Sequence, residues 1–527
     1  MLDVIIVGGG TAGSVLAERL TRSESRRVML IEAGEPPSSR FVSIPAGFPR
    51  LFKGDHDWAF ESEPQRAVGG RTIFTPRGKM LGGSSNMNAM MHQWCHPADF
   101  DGWVADGATG WGWNDVVPVF REQERWNGDD ADQGRGRSGP MNIEPNRNVR
   151  ALSRLFVEAA HRAGLPEDPH YNGHAYTGAW IAELAHRGGK RFSACNAYLD
   201  PASKRPNLEI VTGAHATKIE IVDGRATGVT FRRAGAERTE SARTVVLAAG
   251  AYASPQILML SGIGPAASLQ EFGIPVVVDA PDVGQNLQDH PVIPMVFGAR
   301  TSDTMRRAES VSELLRYVVL KRGMLASNGV EAFAFTQIHA DPVDAPDLEL
   351  LFLPFEYRNQ FLEPPQVDAF SIAPAVVKPR SRGCVLLRSA DPLVPPAIDP
   401  ALLSDPDGVD AAVLWEGARL CRTIAAMSPL AEQNAGELRP GASVDSERDF
   451  LAYAGTELQT VYHPTSTCRM GSDSRAVVDP RLGVRGVDGL WVVDASVMPS
   501  VPRGHPNAVV AMIANRAAEW IDAATTH

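Results

Sequence analysis

The feature that most constrains how this chain can fold is a glycine-rich turn close to its amino terminus. An apolar run, VIIV, leads directly into GGGTAG, an amphipathic stretch follows, and a second apolar run, VMLIEAG, contains Glu32 near its end. The spacing of the apolar residues predicts a strand, a helix and a second strand. Together these form a βαβ unit, the building block of a doubly wound α/β sheet.

The glycines of the turn are spaced as a dinucleotide site requires. Gly8 permits the tight turn, Gly10 lets the backbone approach a pyrophosphate, and Gly13 lets the helix pack closely on the strand. Free N–H groups at the start of the helix then face the anion. Glu32 stands where a carboxylate accepts hydrogen bonds from ribose hydroxyls, and it argues against a 2'-phosphate. The motif alone does not separate NAD from FAD, and a glycine-rich turn without a ligand is the alternative.

Length, charge and cysteine content restrict the function further. At 527 residues the chain is too long for one hydrophobic core, so we expect two or more lobes. A net charge of -11 argues against a nucleic-acid partner, which requires a basic face. The 5 cysteines follow no CxxC spacing and no signal-peptide pattern opens the sequence, which together favour a cytoplasmic protein with free thiols. No apolar run reaches the roughly 18 residues that span a bilayer.

The order of the predicted elements indicates one lobe interrupted by another. Residues 1–291 form mainly the nucleotide-binding lobe, with excursions at about 35–70 and 95–190. Residues 292–454 carry an apolar strand, LELLFLPF, and proline-rich turns, which predict a substrate-binding lobe of antiparallel sheet plus helices. Residues 455–527 return to the first lobe through the buried strand GLWVVDASVMP and a final helix. The predicted fold class is α/β with an α+β insertion.

A second glycine-rich segment, PRGKMLGGSSNMNAM at residues 76–90, combines glycines with serines and asparagines. Such residues allow close backbone approach and supply side-chain donors and acceptors. The segment therefore suits a second contact along an extended dinucleotide. A solvated polar turn is the alternative on composition alone.

Near the end of the chain, VYHPTSTCRMG contains His463 and Cys468. Histidine is the usual supplier of a base of near-neutral pKa, although an isolated histidine is more often a satisfied or surface residue. A zinc site needs three or four ligands, which the neighbouring sequence does not supply, so no metal is predicted. A Cys–His nucleophile pair would need an oxyanion hole, of which there is no sign, and Cys468 is interpreted as a packing residue.

Taken together, these motifs resemble the glucose-methanol-choline (GMC) flavin oxidoreductases. The resemblance is carried, in the same order along the chain, by GGGTAG with Glu32, PRGKMLGGSSNMNAM, GAYASPQILMLSGIGP, DVGQNLQDHP, YHPTSTCRMG and GLWVVDASVMP. It implies an enzyme acting on CH–OH donors, built from an FAD-binding Rossmann-like lobe and an inserted substrate lobe.

The resemblance also implies which residues contact FAD. Met87 stands where some relatives carry a histidine bonded covalently to the flavin, so we expect non-covalent FAD. The predicted contacts lie in the two glycine-rich segments, at the end of the second strand and near the later strands: Gly8, Gly10, Thr11, Ala12, Gly13, Glu32, Ala33, Gly82, Gly83, Ser85, Asn88, Ala89, Ala216, Gly250, Asp494 and Ala495.

At the reacting end of the site, His463 matches the catalytic histidine of the family's HPxGTCRMG-like motif, with Ser466 in place of a glycine. Asn507, in GHPNAVVAMIA, matches the partner position across the substrate, where an amide holds the oxygen without competing for the proton. His505 stands where many relatives have asparagine, and it is open whether it is an acid-base group, a flavin neighbour or a polar filler.

The resemblance thus implies FAD-dependent oxidation of an alcohol to the aldehyde: His463 takes the hydroxyl proton, flavin N5 takes the hydride, and O2 or an external acceptor reoxidises the flavin. The expected substrate is a small primary alcohol, aromatic or heteroaromatic, with Phe352 and Phe355 either walls of its pocket or core residues. A flavin-containing lyase of the same fold, similar to the hydroxynitrile lyases, is the alternative, and an NAD-dependent dehydrogenase is a third. Trp94 and Cys95 replace the family's Arg-Gly pair, which leaves the loop at the active-site entrance undefined.

Overall fold

The computed structural model describes residues 2–129, 134–168, 170–173, 176–339 and 343–525. The predicted βαβ unit is present as the strand Leu2–Val7, the helix Thr11–Leu20 and the strand Val28–Ile31. The other helices are Pro97–Ala105, Trp113–Gln123, Ala151–Arg162, Asp200–Ala202, Gly250–Leu260, Ala266–Glu271, Val311–Leu320, Val409–Ala425, Glu447–Glu457 and Asn507–Thr525.

The first sheet is parallel at its centre. The strands Leu2–Val7 and Val28–Ile31 are rich in valine, leucine and isoleucine and are almost wholly buried, as strands covered on both faces must be. The helices at the two ends of the chain, Thr11–Leu20 and Asn507–Thr525, pack against each other. The order of the parallel strands across the sheet is Leu208–Val211, Val28–Ile31, Leu2–Val7, Ala236–Leu247 and Leu490–Val492.

The strand Ala236–Leu247 belongs to two arrangements. Its first half pairs antiparallel with Arg225–Arg233, which pairs in turn with Ala214–Val222. Its second half pairs parallel with Leu2–Val7 on one side and with Leu490–Val492 on the other. The C-terminal part of the chain therefore completes the sheet that the N-terminal part begins.

A second, antiparallel sheet forms the core of the other lobe. The helices Ala151–Arg162 and Val409–Ala425 pack on it, and there the rings of Phe156, Phe352 and Phe370 stack in succession, with centroids 4.7 and 5.7 Å apart. The helix Ala151–Arg162 and the edge strand Gly178–Ile181 thus belong to this lobe, although they precede the residues 292–454 predicted to form it. The strands lie in the order Asn434–Arg439, Met295–Ala299, Ala369–Val376, Leu348–Leu353, Ala332–Thr336 and Gly178–Ile181, with Pro291–Val292 and Gln459–Thr460 attached.

The mixed architecture confirms the predicted α/β fold with an inserted antiparallel lobe. The strands Leu2–Val7 and Ala236–Leu247 run in the same direction, and each is followed by a helix that begins at the carboxyl edge of the sheet. In α/β sheets this edge is where ligands bind. The shorter strands are Phe60–Glu61, Phe74–Thr75, Glu124–Trp126, Met141–Pro145, Glu183–Leu184, His186–Arg187, Lys190–Arg191, Ile263–Gly264, Val278–Asp279, Gln285–Leu287, Gly383–Leu386 and Ala397–Asp399.

Candidate active site

One cavity extends from the carboxyl edge of the parallel sheet into the second lobe. Its wall contains Gly8 and Glu32 of the nucleotide-binding lobe, and it also contains His463 and His505. The cavity therefore brings the predicted cofactor cradle and the predicted base into one continuous space. Aromatic side chains form much of the remaining wall: Phe48, Phe52, Trp58, Phe60, Tyr252, Tyr357, Phe361 and Tyr462.

Contacts within the glycine turn leave no room for side chains at two positions. A Cβ at Gly8, where φ is +106°, would lie 2.4 Å from the carbonyl oxygen of Ala248, and a Cβ at Gly13 would lie 1.9 Å from that of Gly8. Gly10 differs, because a Cβ there would meet nothing within 4 Å. Gly8 and Gly13 therefore allow close packing, whereas Gly10 borders open space in which a phosphate can approach the backbone.

Three helices begin at the cavity, Thr11–Leu20, Gly250–Leu260 and Asn507–Thr525, and the first residue of each lines it. A helix N-terminus carries partial positive charge and unpaired N–H groups. The helix Thr11–Leu20 begins without a side-chain cap and without an acidic residue in its first turn. Its N–H donors are therefore available to an anion such as a diphosphate.

Glu32 is buried, with 6 % of its surface exposed, and the turn holds its carboxylate in place. Oε2 accepts a hydrogen bond from the N–H of Gly9 at 2.7 Å, and Oε1 accepts one from the N–H of Gly34 at 2.8 Å. Burial raises the pKa of Glu32 to about 7, against the opposing effect of these two donors and of Lys79. Each carboxylate oxygen keeps a further lone pair, so ribose hydroxyls can still donate to it.

The second glycine-rich segment contacts the first. The N–H of Gly82 donates to the carbonyl of Gly9 at 2.7 Å, which places Gly83 in the cavity wall. Ser85 lies behind that wall, because its hydroxyl donates to the carbonyl of Gly82 at 2.6 Å. Ser84, one position earlier, lines the cavity in its place.

Asn88 lines the cavity and is fixed by Arg191, a residue that sequence reasoning missed. The buried guanidinium donates to the side-chain oxygen and to the backbone oxygen of Asn88, both at 2.7 Å. The two residues are 103 positions apart, and no motif surrounds Arg191 in the sequence. Only the fold brings them together.

Asp494 also lines the cavity and joins two of its elements. Its Oδ2 accepts from the N–H of Gly250 at 2.8 Å and from the hydroxyl of Ser254 at 2.6 Å. Its Oδ1 accepts from the N–H and the hydroxyl of Ser496 at 2.8 and 2.6 Å. Four donors on one carboxylate hold the start of the helix Gly250–Leu260 beside the last strand of the parallel sheet.

His463 lies at the end of the cavity that the second lobe closes. Its backbone N–H donates to Oδ1 of Asp289 at 2.7 Å, and its Nδ1 lies 3.0 Å from Nδ1 of His290. Burial, together with the neighbouring His505 and His290, lowers the pKa of His463 well below 6.5. The imidazole is therefore neutral, the form that a base requires.

His505 is the second imidazole at this end. Its ring centroid is 4.7 Å from that of His463, with an angle of 79° between the planes. Its Nε2 lies 3.1 Å from Oε1 of Glu349, a fully buried carboxylate on the strand Leu348–Leu353. Sequence reasoning missed Glu349, since it lies in an apolar strand with no motif. A carboxylate behind an imidazole fixes the orientation of the ring.

Asn507 makes a different contact from the one the sequence predicts. Its Oδ1 accepts a hydrogen bond from the hydroxyl of Thr11 at 2.8 Å, which ties the start of the last helix to the glycine turn. Asn507 lines the cavity, but the ring packed on His463 is that of His505. The sequence predicts that Asn507 faces the base, whereas in the structure His505 lies beside it. The chain turns at Pro506, so the two side chains point to different neighbours.

Neither phenylalanine predicted for the substrate pocket lines the cavity. Phe352 is fully buried in the core of the second lobe, whereas its neighbours Leu351 and Leu353 line the cavity, because side chains alternate between the faces of a strand. Phe355 packs beside Phe361, with ring centroids 6.2 Å apart, and Phe361 lines the cavity. Of the two interpretations left open for these phenylalanines, Phe352 is therefore a core residue, and Leu351, Leu353 and Phe361 form this part of the cavity wall.

An aromatic cluster lies next to the base. The ring centroid of Phe361 is 5.3 Å from that of Phe48 and 4.7 Å from that of Tyr357. Phe52 contacts Tyr462, the residue before His463, with centroids 6.2 Å apart. These rings line the cavity and offer flat apolar surfaces to a ligand.

Most of the predicted cofactor contacts share this one cavity, while Gly13, Gly82 and Ser85 support its wall from behind. The residues that line it are Gly8, Gly10, Thr11, Ala12, Glu32, Ala33, Gly83, Asn88, Ala89, Ala216, Gly250, Asp494 and Ala495.

Two departures from the family pattern fall at backbone positions that favour glycine. Cys95 has φ +67° and Ser466 has φ +77°, both in the left-handed region. Cys95 is buried, with its thiol 4.0 Å from the carbonyl of His505, while Trp94 is fully buried and stacks on Phe120. The loop at these residues is therefore part of the packed core behind His505.

Within the described ranges, no group of three or more His, Cys, Asp or Glu side chains is arranged to hold a metal ion. Cys468 is fully buried, and its N–H donates to the carbonyl of Ser496, as a packing residue would. None of the helices described has the length and hydropathy of a membrane-spanning segment.

Comparison with known proteins places these features in a family. The family models of the GMC oxidoreductases match residues 2–292 and 379–514. An uncharacterised GMC-type oxidoreductase of Mycobacterium tuberculosis is 42 % identical over 532 residues, covering 98 % of this chain and 99 % of its own. An alcohol dehydrogenase (acceptor) of Pseudomonas putida is 36 % identical over 530 residues, covering 99 % and 96 %.

Among solved structures, the pyridoxine 4-oxidase from Mesorbium loti superposes with a TM-score of 0.90 at 32 % sequence identity, covering 99 % of both chains. The matches extend over both lobes and over the segments that line the cavity. The chain therefore belongs to the GMC oxidoreductase family.

Proposed function

We propose that this protein oxidises a primary alcohol on an aromatic or heteroaromatic ring to the aldehyde, with non-covalently bound FAD. The observation that carries the proposal is the single cavity that joins Gly10 and Glu32 to the packed imidazoles of His463 and His505. A hydride acceptor and a base must share one space for this chemistry, and the cavity provides it.

The cradle fits the parts of FAD. Gly10 and the uncapped start of the helix Thr11–Leu20 suit the diphosphate, and Glu32 suits the ribose hydroxyls. Met87, at the position where some relatives attach the flavin through histidine, lines the cavity with a thioether, which supports non-covalent binding. When bound, FAD supplies the acceptor for the hydride that leaves the alcohol carbon.

The chain supplies the proton chemistry. Neutral His463 takes the hydroxyl proton while the hydride leaves the carbon, so the alcohol loses two electrons and becomes an aldehyde. We assign to His505 the task of donating a hydrogen bond from Nδ1 to the substrate oxygen, which requires protons on both ring nitrogens, because the Glu349 carboxylate accepts from Nε2 and holds the ring. Asn507 then acts through Thr11 on the cradle and not on the substrate.

The aromatic cluster of Phe48, Phe52, Tyr357, Phe361 and Tyr462 supports a ring-bearing substrate, because aromatic rings pack edge to face on one another. One relative is a pyridoxine oxidase and another an acceptor-dependent alcohol dehydrogenase. These names support an alcohol as the substrate. They do not decide whether O2 or an external acceptor reoxidises the flavin.

Anaerobic mixing with alcohols tests the proposal. The purified protein should be yellow, and 3-pyridinemethanol or benzyl alcohol should bleach its flavin and yield one aldehyde per flavin. Cyclohexanemethanol, which presents a primary alcohol without an aromatic face, should bleach it more slowly. Readmission of air, with peroxide assayed in parallel with a dye acceptor, separates the two acceptor classes.

Two outcomes would contradict the proposal. Cleavage of an aromatic cyanohydrin without bleaching would favour the flavin-containing lyase of the same fold. If the protein has full FAD occupancy and no primary alcohol reduces the flavin, alcohol oxidation is ruled out as its function.

A further inference from the structure

The helix Val311–Leu320 is apolar over most of its circumference and yet lies on the surface. A surface helix of a globular protein normally turns its apolar residues towards the core. Here Tyr317 is the buried residue, and six large apolar side chains are between 42 % and 74 % exposed. Large contiguous patches of this kind mark interaction sites. The six are Val311, Leu314, Leu315, Val318, Val319 and Leu320.

Cationic residues cluster at the C-terminal end of this helix. Lys321 follows its last residue, and a Cβ at Gly189 would lie 2.1 Å from the carbonyl oxygen of Lys321, so the hairpin His186–Arg191 packs directly against the helix end. The acid on the helix, Glu313, is engaged: it accepts from the N–H of Met324 at 2.8 Å and pairs with Arg316 at 3.4 Å. The cations after the helix and on the hairpin are Lys321, Arg322, Arg187 and Lys190.

We propose that the helix Val311–Leu320 docks this protein on the surface of an anionic lipid bilayer. The valines and leucines would enter the boundary of the acyl chains, and the lysines and arginines would face the lipid phosphates. The protein as a whole carries a net charge of -11, so attraction to an anionic surface would have to come from this local cluster of cations and not from the overall charge.

A second copy of the chain is a less suitable occupant. Symmetric pairing through this helix would bury the aliphatic side chains, but Glu313, the acid on the helix, is already paired within its own copy, so a second copy offers the cations no free carboxylate from this helix. An anionic bilayer satisfies the apolar face and the cluster of cations at the same time. Charge complementarity therefore selects the lipid surface.

The docking helix lies beside the wall of the cavity. The hydroxyl of Tyr317 lies 3.5 Å from the carbonyl of Ser43, and its ring packs with Ile44. The segment that follows contributes Phe48 and Phe52 to the cavity wall. Docking would thus hold the aromatic end of the cavity close to the bilayer, where apolar alcohols and lipophilic electron acceptors concentrate. This consequence rests on the proposed oxidation, whereas the docking itself does not.

Vesicle co-sedimentation of the flavin-loaded protein tests the proposal. The protein should sediment with vesicles of phosphatidylcholine and phosphatidylglycerol, bind pure phosphatidylcholine about tenfold more weakly, and be released by salt. The double variant Leu315→Glu/Val319→Glu should lose binding at least about tenfold, and Arg187→Glu should weaken it about fivefold. Val222→Glu, at a residue of the other lobe with 57 % exposure, is the matched control and should bind like the wild type.

The proposal fails if the wild-type protein stays in the supernatant with anionic vesicles, or if the double variant binds as well as the wild type. A dimer in size-exclusion chromatography that the double variant converts to a monomer, without vesicle binding, would show that this face joins two copies. The substituted side chains are exposed, so FAD content and unfolding temperature should be unchanged. If FAD content or unfolding temperature does change in the double variant, Arg187→Glu and the salt titration test the same proposal. Neither experiment requires a substrate.

Discussion

Nδ1 of His463 lies 3.0 Å from Nδ1 of His290, with the two rings nearly perpendicular at 89°. One of these nitrogens must carry a proton and the other must accept it. Burial, with the nearby His505 contributing, lowers the pKa of His290 to about 3, so His290 is neutral. A base that accepts at Nε2 must hold its own proton on Nδ1, and we therefore assign His463 as the donor and His290 as the acceptor. His290 thus fixes the tautomer of the base.

Replacing His463 tests the base itself. The variant His463→Ala should bind FAD like the wild type and lose flavin reduction by about 10²- to 10⁴-fold, the usual contribution of a general base. Stopped-flow reduction by benzyl alcohol measures this rate. His161→Ala is the control, because His161 lies on the helix Ala151–Arg162 and bonds to the carbonyl of Ala179. Reduction of His463→Ala at the wild-type rate would remove His463 from the mechanism.

Replacing His290 tests its control of the tautomer. His290→Leu leaves the Nδ1–H of His463 without an acceptor in a buried place, which costs about 1–3 kcal/mol and should slow flavin reduction about tenfold to hundredfold. His290→Gln retains an amide oxygen that can accept, so it should recover part of the rate. FAD content should be unchanged in both. Equal rates for the two variants would show that His290 only fills space.

His505 and Asn507 should give separable effects. His505→Ala should retain FAD and slow its reduction by about 10²-fold, as loss of one donor to a reacting oxygen does, while His505→Asn should recover part of that rate. Asn507→Ala and Thr11→Val break the 2.8 Å bond between the last helix and the glycine turn, and should chiefly weaken FAD binding. Flavin titrations and stopped-flow rates on the same preparations separate the two. Slower reduction in Asn507→Ala than in His505→Ala, at full FAD occupancy, would restore Asn507 as the partner of the base.

The sequence predicted the parts of the site that lie in local motifs. Continuous apolar runs before and after GGGTAG, with an amphipathic stretch between them, predict the strands, turn and helix, and Glu32 follows at the end of the second strand, so hydrophobic pattern and glycine spacing suffice there. The roles of His290 and Glu349 could not be found in this way. His290 lies in the segment DVGQNLQDHP and Glu349 in an apolar strand, but neither pattern shows that these side chains contact His463 and His505, because those contacts are made only in the folded chain.

The differences between the predicted and the observed site also have physical causes. His505 lies in the irregular segment before the last helix and Asn507 is the first residue of that helix, so no periodicity tells which of the two side chains faces the base. The sequence leaves open whether Phe352 is a pocket wall or a core residue, because a strand buried on both faces gives no alternation to show which residues face the cavity. The neighbours Leu351 and Leu353 have the opposite orientation and form the wall.

Replacing Glu32 tests the ribose contact. Glu32→Gln should weaken FAD binding about tenfold to hundredfold, because hydrogen bonds to a charged acceptor contribute about 1.5–3 kcal/mol. Burial raises the pKa of Glu32 to about 7 in the flavin-free protein, whereas hydroxyl donors favour the ionised form. FAD binding therefore releases a proton, and wild-type affinity should fall as the pH drops below about 7. Glu32→Gln should lack this dependence, and Glu35→Gln, at an exposed acid three residues later, should keep it.

The pH dependence of flavin reduction should report the burial of His463. Only the neutral imidazole accepts the hydroxyl proton, and burial with the adjacent His505 and His290 lowers its pKa well below 6.5. At pH 6.5, half of the molecules of an enzyme whose base has the ordinary pKa of 6.5 would be protonated and inactive. The imidazole of His463 remains unprotonated at that pH and becomes protonated only at more acidic pH. The rate of reduction, measured by pH-jump stopped flow, should therefore be level across pH 6.5 and decline below it. A rate that is halved at pH 6.5 would mean that water reaches the imidazole and that the base is not buried.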